Sequence, residues 1–456
     1  MHRSPSLHRS HLTLLVAAAV VLALPTIASA ESYVLTASQW GNSQDAAVAA
    51  AGGSVIWSHG NTGIGVATSD DPGFAEAAQA SGAFLSATQD FEVQWQPDVP
   101  QQAVTSEDER FFPLQWSLTA VEAEAAWAAG CTGDGARVAI LDGGIYSAHQ
   151  DLDDNLDVAC SVSFVAGQPF NNDLGTFWHG THVAGIVAAE DNGIGTLGVA
   201  PDATLIGVKV LHGGSGSFGA VIGGILYASD PAAFGLGGCA RADIINMSLG
   251  AVFSKSAPGA GPLIGALNQA VNFAGSQGVL VISATGNNGV DIRDFPSFTF
   301  VPADSGSGLA VSATGPVGFA LGATNFRRPA SYSNFGDGFV SVAGPGGDFV
   351  LPGDDVCAVP TNGGPPVVAP CWVFDLVISP CRGSGASTTS YCFAAGTSMA
   401  TPAASGVAAL IKGANPGISR GALKSQLFDT ADDEGAAGDD EFYGHGFVNA
   451  FRACTE

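Results

Sequence analysis

Four short runs of this chain are apolar without alternation: Arg137-Val-Ala-Ile-Leu, Ala203-Thr-Leu-Ile-Gly-Val-Lys-Val-Leu, Asp243-Ile-Ile-Asn-Met and Val279-Leu-Val-Ile-Ser. A strand that is wet on one face alternates apolar with polar residues. A β-branched run without alternation is buried on both faces, which means a parallel sheet covered by helices on each side. Between the runs, helical patterning is expected at about 180–189, 219–228, 261–277, 398–413 and 419–431. In open sheets of this kind chemistry collects at the carboxyl ends of the strands, so those ends are where candidate residues are sought.

The N-terminus has a different character. Arg3 and Arg9 precede an apolar run at 12–24 and then Ala28-Ser29-Ala30, the pattern of a secretory signal cut after Ala30. The run is short for a bilayer span, so a secreted product is expected, extracellular or periplasmic, with no membrane segment after signal removal. Residues 31 to about 101 contain no cysteine and read as a small βαββαβ unit of ferredoxin-like α+β type. Strands are expected at 32–36, 53–57, 63–67 and 91–95, with helices at 43–51 and 71–80. The polar stretch 101–110 reads as an exposed linker, and the boundary is set near 105, leaving 106–456 as the larger domain.

Forty-one acidic against 15 basic residues give a formal charge of -26, which would repel a phosphate backbone, so nucleic acid is set aside as a partner. The eight cysteines suit an oxidising destination. None forms a Cys-x-x-Cys knuckle, so disulfides rather than structural zinc are expected. Four of them crowd a Gly- and Pro-rich segment at 346–391. Short loops close easily, so Cys357 is expected to pair with Cys371 and Cys381 with Cys392.

Asp142 closes the first apolar strand ahead of Gly143-Gly144. His179 opens a helix in Trp178-His-Gly-Thr-His-Val-Ala-Gly, and Ser398 heads another in Ala395-Gly-Thr-Ser-Met-Ala-Thr-Pro. Asn287 follows a strand within Thr285-Gly-Asn-Asn-Gly. Taken singly, each has an ordinary reading as a strand-closing carboxylate, a helix cap or a turn. Together they supply a carboxylate to orient an imidazole, a base, a hydroxyl at a helix N-terminus and an amide for a developing oxyanion. His182 raises a metal pair with His179. Zinc proteases place such histidines at i and i+4 with a glutamate between, and neither condition holds here. An α/β-hydrolase would order its triad Ser, Asp, His and use Gly-x-Ser-x-Gly, whereas Ser398 lies in Gly-Thr-Ser-Met-Ala.

In the order Asp, His, Ser, these three segments resemble the active-site signatures of the subtilisin-like serine proteases. The likeness extends from about Gln115 to Asn449 through Gly198-Val-Ala-Pro, Ile245-Asn-Met-Ser-Leu-Gly, Ala330-Ser-Tyr-Ser-Asn-Phe-Gly and Tyr443-Gly-His-Gly-Phe-Val-Asn. It implies a three-layer α/β domain that hydrolyses peptide bonds in proteins or peptides through an acyl-enzyme. Ser398 is then the nucleophile, His179 the base and acid, Asp142 the orienting carboxylate and Asn287 the oxyanion donor. An extended substrate strand is expected between Gly214-Ser215-Gly216 and Ser248-Leu249-Gly250. The second segment, with Ala284-Thr285-Gly286, would wall a pocket for a large apolar residue before the scissile bond.

The resemblance also implies a structural calcium held by Gln115, Asp151, Glu190, Asn192, Ile194 and Thr196, and a monomer with no catalytic metal. Residues 31–105 would be a prodomain that inhibits its own enzyme and is cut off between about 101 and 111. Two departures stand out. Gly143 replaces the usual serine or threonine after the aspartate, and Asn287 and Ser398 lie 111 positions apart (398 minus 287). The excess falls in 346–391, read as a disulfide-pinned surface loop near the active site. The rival readings are a narrow-specificity processing protease and a catalytically dead binding module.

Overall fold

The computed structural model describes residues 30–96, 111–174, 179–382 and 389–456, together with the backbone of 101–104. The signal segment read from the sequence lies outside the described residues.

The N-terminal unit is a four-stranded antiparallel sheet, in the order Ser54–His59, Ile64–Ser69, Glu31–Thr36, Ser86–Gln89, carrying helices Asn42–Ala50 and Phe74–Ala80. Alternation along the first strand sorts its side chains. Tyr33 and Leu35 join Val48, Phe74 and Phe84 in the unit's own core, while Val34 and Val66 pack with Val221, Ile225 and Leu263 of the larger domain. The junction is also polar. The buried Asp90 carboxylate accepts the backbone N–H of Phe218 and Gly219, each at 3.0 Å, at the start of helix Phe218–Ser229. A carboxylate there satisfies free N–H groups and suits the helix dipole.

One expectation needs correction here. The fourth strand of this sheet is Ser86–Gln89, not 91–95. The chain leaves the sheet after Gln89, and Glu92–Gln94 pairs antiparallel with Ser215–Ser217 of the larger domain. The stretch read as an exposed linker also begins as a strand. Gln101–Val104 adds to the free edge of Thr389–Ala394, whose backbone groups would otherwise lack partners on that side.

The larger domain is built on seven strands in the order Val342–Pro345, Leu309–Thr314, Leu280–Ala284, Ile244–Met247, Arg137–Asp142, Thr204–Lys209, Val162–Ser163. All six pairings are parallel. Burial on both faces explains the unbroken apolar runs. Val138, Ile140, Leu205 and Ile282 pack on one side with helices His179–Ala188 and Thr397–Ala414. Ala139, Leu141, Ile206 and Val281 pack on the other with helices Phe218–Ser229 and Ala260–Ser276. Arg137–Asp142, the first of these strands in the chain, lies inside the sheet, and later strands add on either side of it. Asp142 therefore sits at a switch point, where the connections diverge and leave a crevice.

The cysteines form four disulfides: Cys131–Cys454, Cys160–Cys239, and the two expected short links, Cys357–Cys371 and Cys381–Cys392. The segment 346–391 is more deeply integrated than a surface loop. Val367, Val373 and Phe374 lie in the main core, and the buried Asp375 carboxylate accepts Gly318 N and Phe319 N. Val356 and Val368 of its hairpin remain exposed.

The Cys131–Cys454 link spans 323 positions and ties the end of the chain to the start of the domain. Replacing both cysteines by serine is expected to cost about 2–5 kcal/mol of stability, read as a lower melting temperature. An unchanged melting temperature would mean that packing alone holds the C-terminal helix.

Candidate active site

Asp142 is fully buried at the carboxyl end of its strand. Its carbonyl accepts Val210 N at 2.9 Å and Leu211 N at 3.2 Å, and its Oδ1 accepts Gly143 N at 2.6 Å. Its Oδ2 lies 2.9 Å from Nδ1 of His179, the first residue of helix His179–Ala188. An ionised carboxylate only accepts, so Nδ1 is the protonated nitrogen, and Nε2 of a neutral ring keeps its lone pair. His182 stays out of this arrangement. Burial pushes it down to about 3, and its Nε2 donates to Cys392 O at 3.0 Å. Among the described residues no three His, Cys, Asp or Glu side chains gather as a metal site would require.

Ser398 lies in the first turn of helix Thr397–Ala414. Its Oγ is 3.3 Å from Ser248 O, and Ser248 Oγ donates back to Ser398 O at 2.7 Å. Asn287 is oriented by its oxygen, since Oδ1 accepts both Thr397 N at 2.9 Å and Thr397 Oγ1 at 2.8 Å. With Oδ1 so engaged, the amide nitrogen is the end left to donate elsewhere.

Asn287 and Ser398 line a cleft of about 320 Å³ with Leu249, Gly250, Ala284, Thr285 and Gly286. Phe253, Phe300 and Val301 complete its apolar side, and no charged residue among the described ones contributes to it. The segment that leaves the N-terminal sheet runs into this cleft. Beyond its pairing with Ser215–Ser217, Trp95 N donates to Gly214 O at 3.0 Å, and Gly250 N donates to Trp95 O at 2.9 Å. The Trp95 indole is buried against Phe218, with Nε1 donating to Gly216 O at 2.8 Å. Gln96 Nε2 then reaches Asp142 Oδ1 at 3.0 Å and lies 2.9 Å from His179 Nδ1. The two halves of the candidate triad thus meet at one stretch of chain, Trp95 beside Ser398 and Gln96 beside the Asp–His pair. None of the described residues of 346–391 lines the cleft.

Of the six candidate calcium ligands, Asp151 touches Thr196, and Glu190, Asn192 and Ile194 form a second group, while Gln115 bonds to the Leu197 backbone. Thr196 N and Oγ1 donate to Asp151 Oδ2 at 2.9 and 3.0 Å. Gln115 Oε1 accepts Leu197 N, and Asn192 Nδ2 donates to Glu190 Oε2. Asn192 Oδ1 accepts Ile194 N. Burial raises Asp151 to about 7, against hydrogen bonds from Thr196 and from the Tyr391 side chain that hold it down.

This geometry can be set beside known proteins. The profile described as the subtilase family matches residues 133–446. The chain belongs to the subtilase family. It is 36% identical over 341 residues to subtilisin Savinase of Lederbergia lenta, an alignment covering 75% of this subtilase and 98% of Savinase. It is also 36% identical to the M-protease of Shouchella clausii, over 75% of this chain and 70% of that one. Among solved structures, a protease of Pseudoalteromonas arctica superposes with a TM-score of 0.59 at 29% identity, covering 77% of this chain and 99% of its own. The epidermin leader peptide processing protease of Staphylococcus aureus covers 93% of this chain and 99% of its own with a TM-score of 0.68; at 18% identity that likeness speaks to fold alone. This subtilase is therefore a serine-type endopeptidase.

Sequence reasoning missed Trp95, Gln96 and Phe300. The first two belong to a segment assigned to the wrong sheet, and Phe300 reaches the cleft from strand Phe298–Val301, for which no motif was recognised. If Asn287 is the oxyanion donor, Asn287→Ala should cut turnover about 10²–10³-fold with little change in KM, the size of loss caused by removing the donor asparagine of subtilisin itself. Unchanged kcat on a chromogenic peptide would remove Asn287 from the mechanism.

Proposed function

We propose that this subtilase is a secreted endopeptidase that cleaves peptide bonds after apolar residues through an acyl-enzyme on Ser398, and that residues 31–105 are its inhibitory prodomain. The observation that carries the proposal is the path of Glu92–Gln96, an extended peptide held between the 214–217 edge and Gly250 and delivered to the cleft of Ser398. Strand addition of this kind gives affinity through backbone bonds and leaves specificity to side-chain pockets. A cleft walled by Leu249, Ala284 and Phe300, with no charged group among its described lining residues, favours an apolar residue over a basic one.

In the proposed mechanism Ser398 Oγ attacks the scissile carbonyl while His179 Nε2 takes its proton. The carbon becomes tetrahedral and its oxygen negative, facing Asn287 Nδ2 and the N-terminal turn of helix Thr397–Ala414. Asp142 holds the imidazolium that results. Collapse breaks the C–N bond, and His179 passes its proton to the departing amine. Water, deprotonated by His179, then attacks the acyl-enzyme and releases Ser398. While the N-terminal unit remains docked, Trp95 and Gln96 occupy the path a substrate would take. Secretion is supported by the signal pattern of residues 1–30 and by the four disulfides. No helix among the described residues is long and apolar enough to cross a membrane.

Calcium is proposed as a structural ion at Asp151, with oxygen donors drawn from Gln115, Glu190, Asn192, Ile194 and Thr196. The support is the fully buried Asp151 carboxylate, beside a loop rich in the hard oxygen ligands calcium takes.

Two experiments test the proposal. Expressed as the full precursor, the native chain should lose its N-terminal unit, digest casein and prefer apolar over basic chromogenic peptides, while Ser398→Ala does none of these. Equal behaviour of the two chains would reduce Ser398 to a helix cap. For calcium, a chelator should lower the melting temperature of the native protein and leave that of Asp151→Asn unmoved. A native protein indifferent to the chelator would rule the ion out.

A further inference from the structure

Gly143 follows the proposed catalytic aspartate without a side chain, and another residue takes up the space. A β-carbon at 143 would land on Oδ2 of Asp173 and lie 3.0 Å from its Cγ. Asp173 is 9% exposed. Its Oδ1 accepts Leu174 N and Gly213 N, each at 2.8 Å. The same oxygen lies 3.8 Å from Lys209 Nζ and 3.5 Å from His212 Nδ1. Lys209 is fully buried, opposite Asp142 in the strand register, and donates to Gly143 O and to Leu211 O.

One carboxylate therefore touches three things at once. It fills the space beside Gly143, it faces the ammonium that holds the Gly143 carbonyl, and it accepts the N–H of Gly213, next to the Gly214 carbonyl on which the peptide tail is bonded. Gly143 N in turn donates to Asp142 Oδ1. Removing one member of such a buried pair leaves the other uncompensated, so the cluster is expected to act as a unit. We infer that Asp173 is a positioning residue for peptide hydrolysis: with Lys209 it fixes the Gly143 peptide behind Asp142 and ties it to the edge that receives substrate. The inference rests on the reading of Asp142, His179 and Ser398 as the triad.

Asp173→Asn tests it, because the amide keeps an oxygen for Gly213 N and drops only the charge. In the matured enzyme, with an apolar chromogenic peptide, kcat should fall about ten-fold at nearly constant KM. Gly143→Ala should be damaging alone and much milder when combined with Asp173→Ala, which clears the collision. Unchanged kcat in Asp173→Asn, whatever its melting temperature, would overturn the inference. So would equal losses from Gly143→Ala in both backgrounds. Ser398→Ala assayed in parallel keeps the two ideas apart: if it is inactive while Asp173→Asn behaves as native, only the role of Asp173 falls, whereas an active Ser398→Ala overturns the triad and this inference with it.

Discussion

A carboxylate with no exposed surface is tolerated only where the chain supplies partners for it, and much of this structure can be read as the supply of partners to Asp142. Its strand is clamped between Ile244–Met247 and Thr204–Lys209, so its position is fixed by sheet hydrogen bonds rather than by a loop. Helix His179–Ala188 packs on that sheet through Val183 and Val187 and brings the imidazole to Oδ2 at 2.9 Å. Helix Thr397–Ala414 packs on the same face and carries Ser398 in its first turn. Three rigid elements thus converge on one crevice, and a site built on such elements is held more closely than one on loops would be.

The same crevice explains how the two folded units meet. Parallel sheets carry their chemistry where strands end, and edge segments around such a crevice have free backbone groups. The N-terminal unit uses them: Glu92–Gln94 completes the Ser215–Ser217 edge, and Asp90 satisfies the first N–H groups of the helix that follows. Docking and occupation of the cleft are therefore one event, with Val34 and Val66 supplying apolar contact on the outer helix layer.

How much of this was legible in the sequence depended on whether the controlling contact was local. The double-faced burial of Arg137–Asp142 is written in Val138 and Ile140 on one side and Ala139 and Leu141 on the other, and the helix limits expected in the larger domain fell within two residues of those observed, as the 3.6 period allows. Asp142, His179, Asn287 and Ser398 could be proposed from sequence because each sits in a short motif at an element end. The segment around Phe91, Val93 and Trp95 alternates like a half-buried strand, and a strand it is. Its partner is an edge of another unit, which no local pattern encodes. Phe300 and Asp173 were missed for the same reason, since each acts on the site through a contact distant in sequence. The stretch 346–391 misled through composition: its glycines and prolines suggested a surface loop, while Val367, Val373 and Phe374 carry it into the core.

The account stands or falls on Ser398 being a nucleophile activated by the Asp142–His179 pair, and covalent trapping tests that most directly. The matured enzyme would be treated with a serine-directed peptidyl phosphonate carrying an apolar residue, digested and mapped by mass spectrometry. One adduct on Ser398, formed rapidly in the native enzyme and lost in His179→Ala, is the predicted result. No adduct, an adduct on another serine, or equal labelling with and without His179 would contradict it.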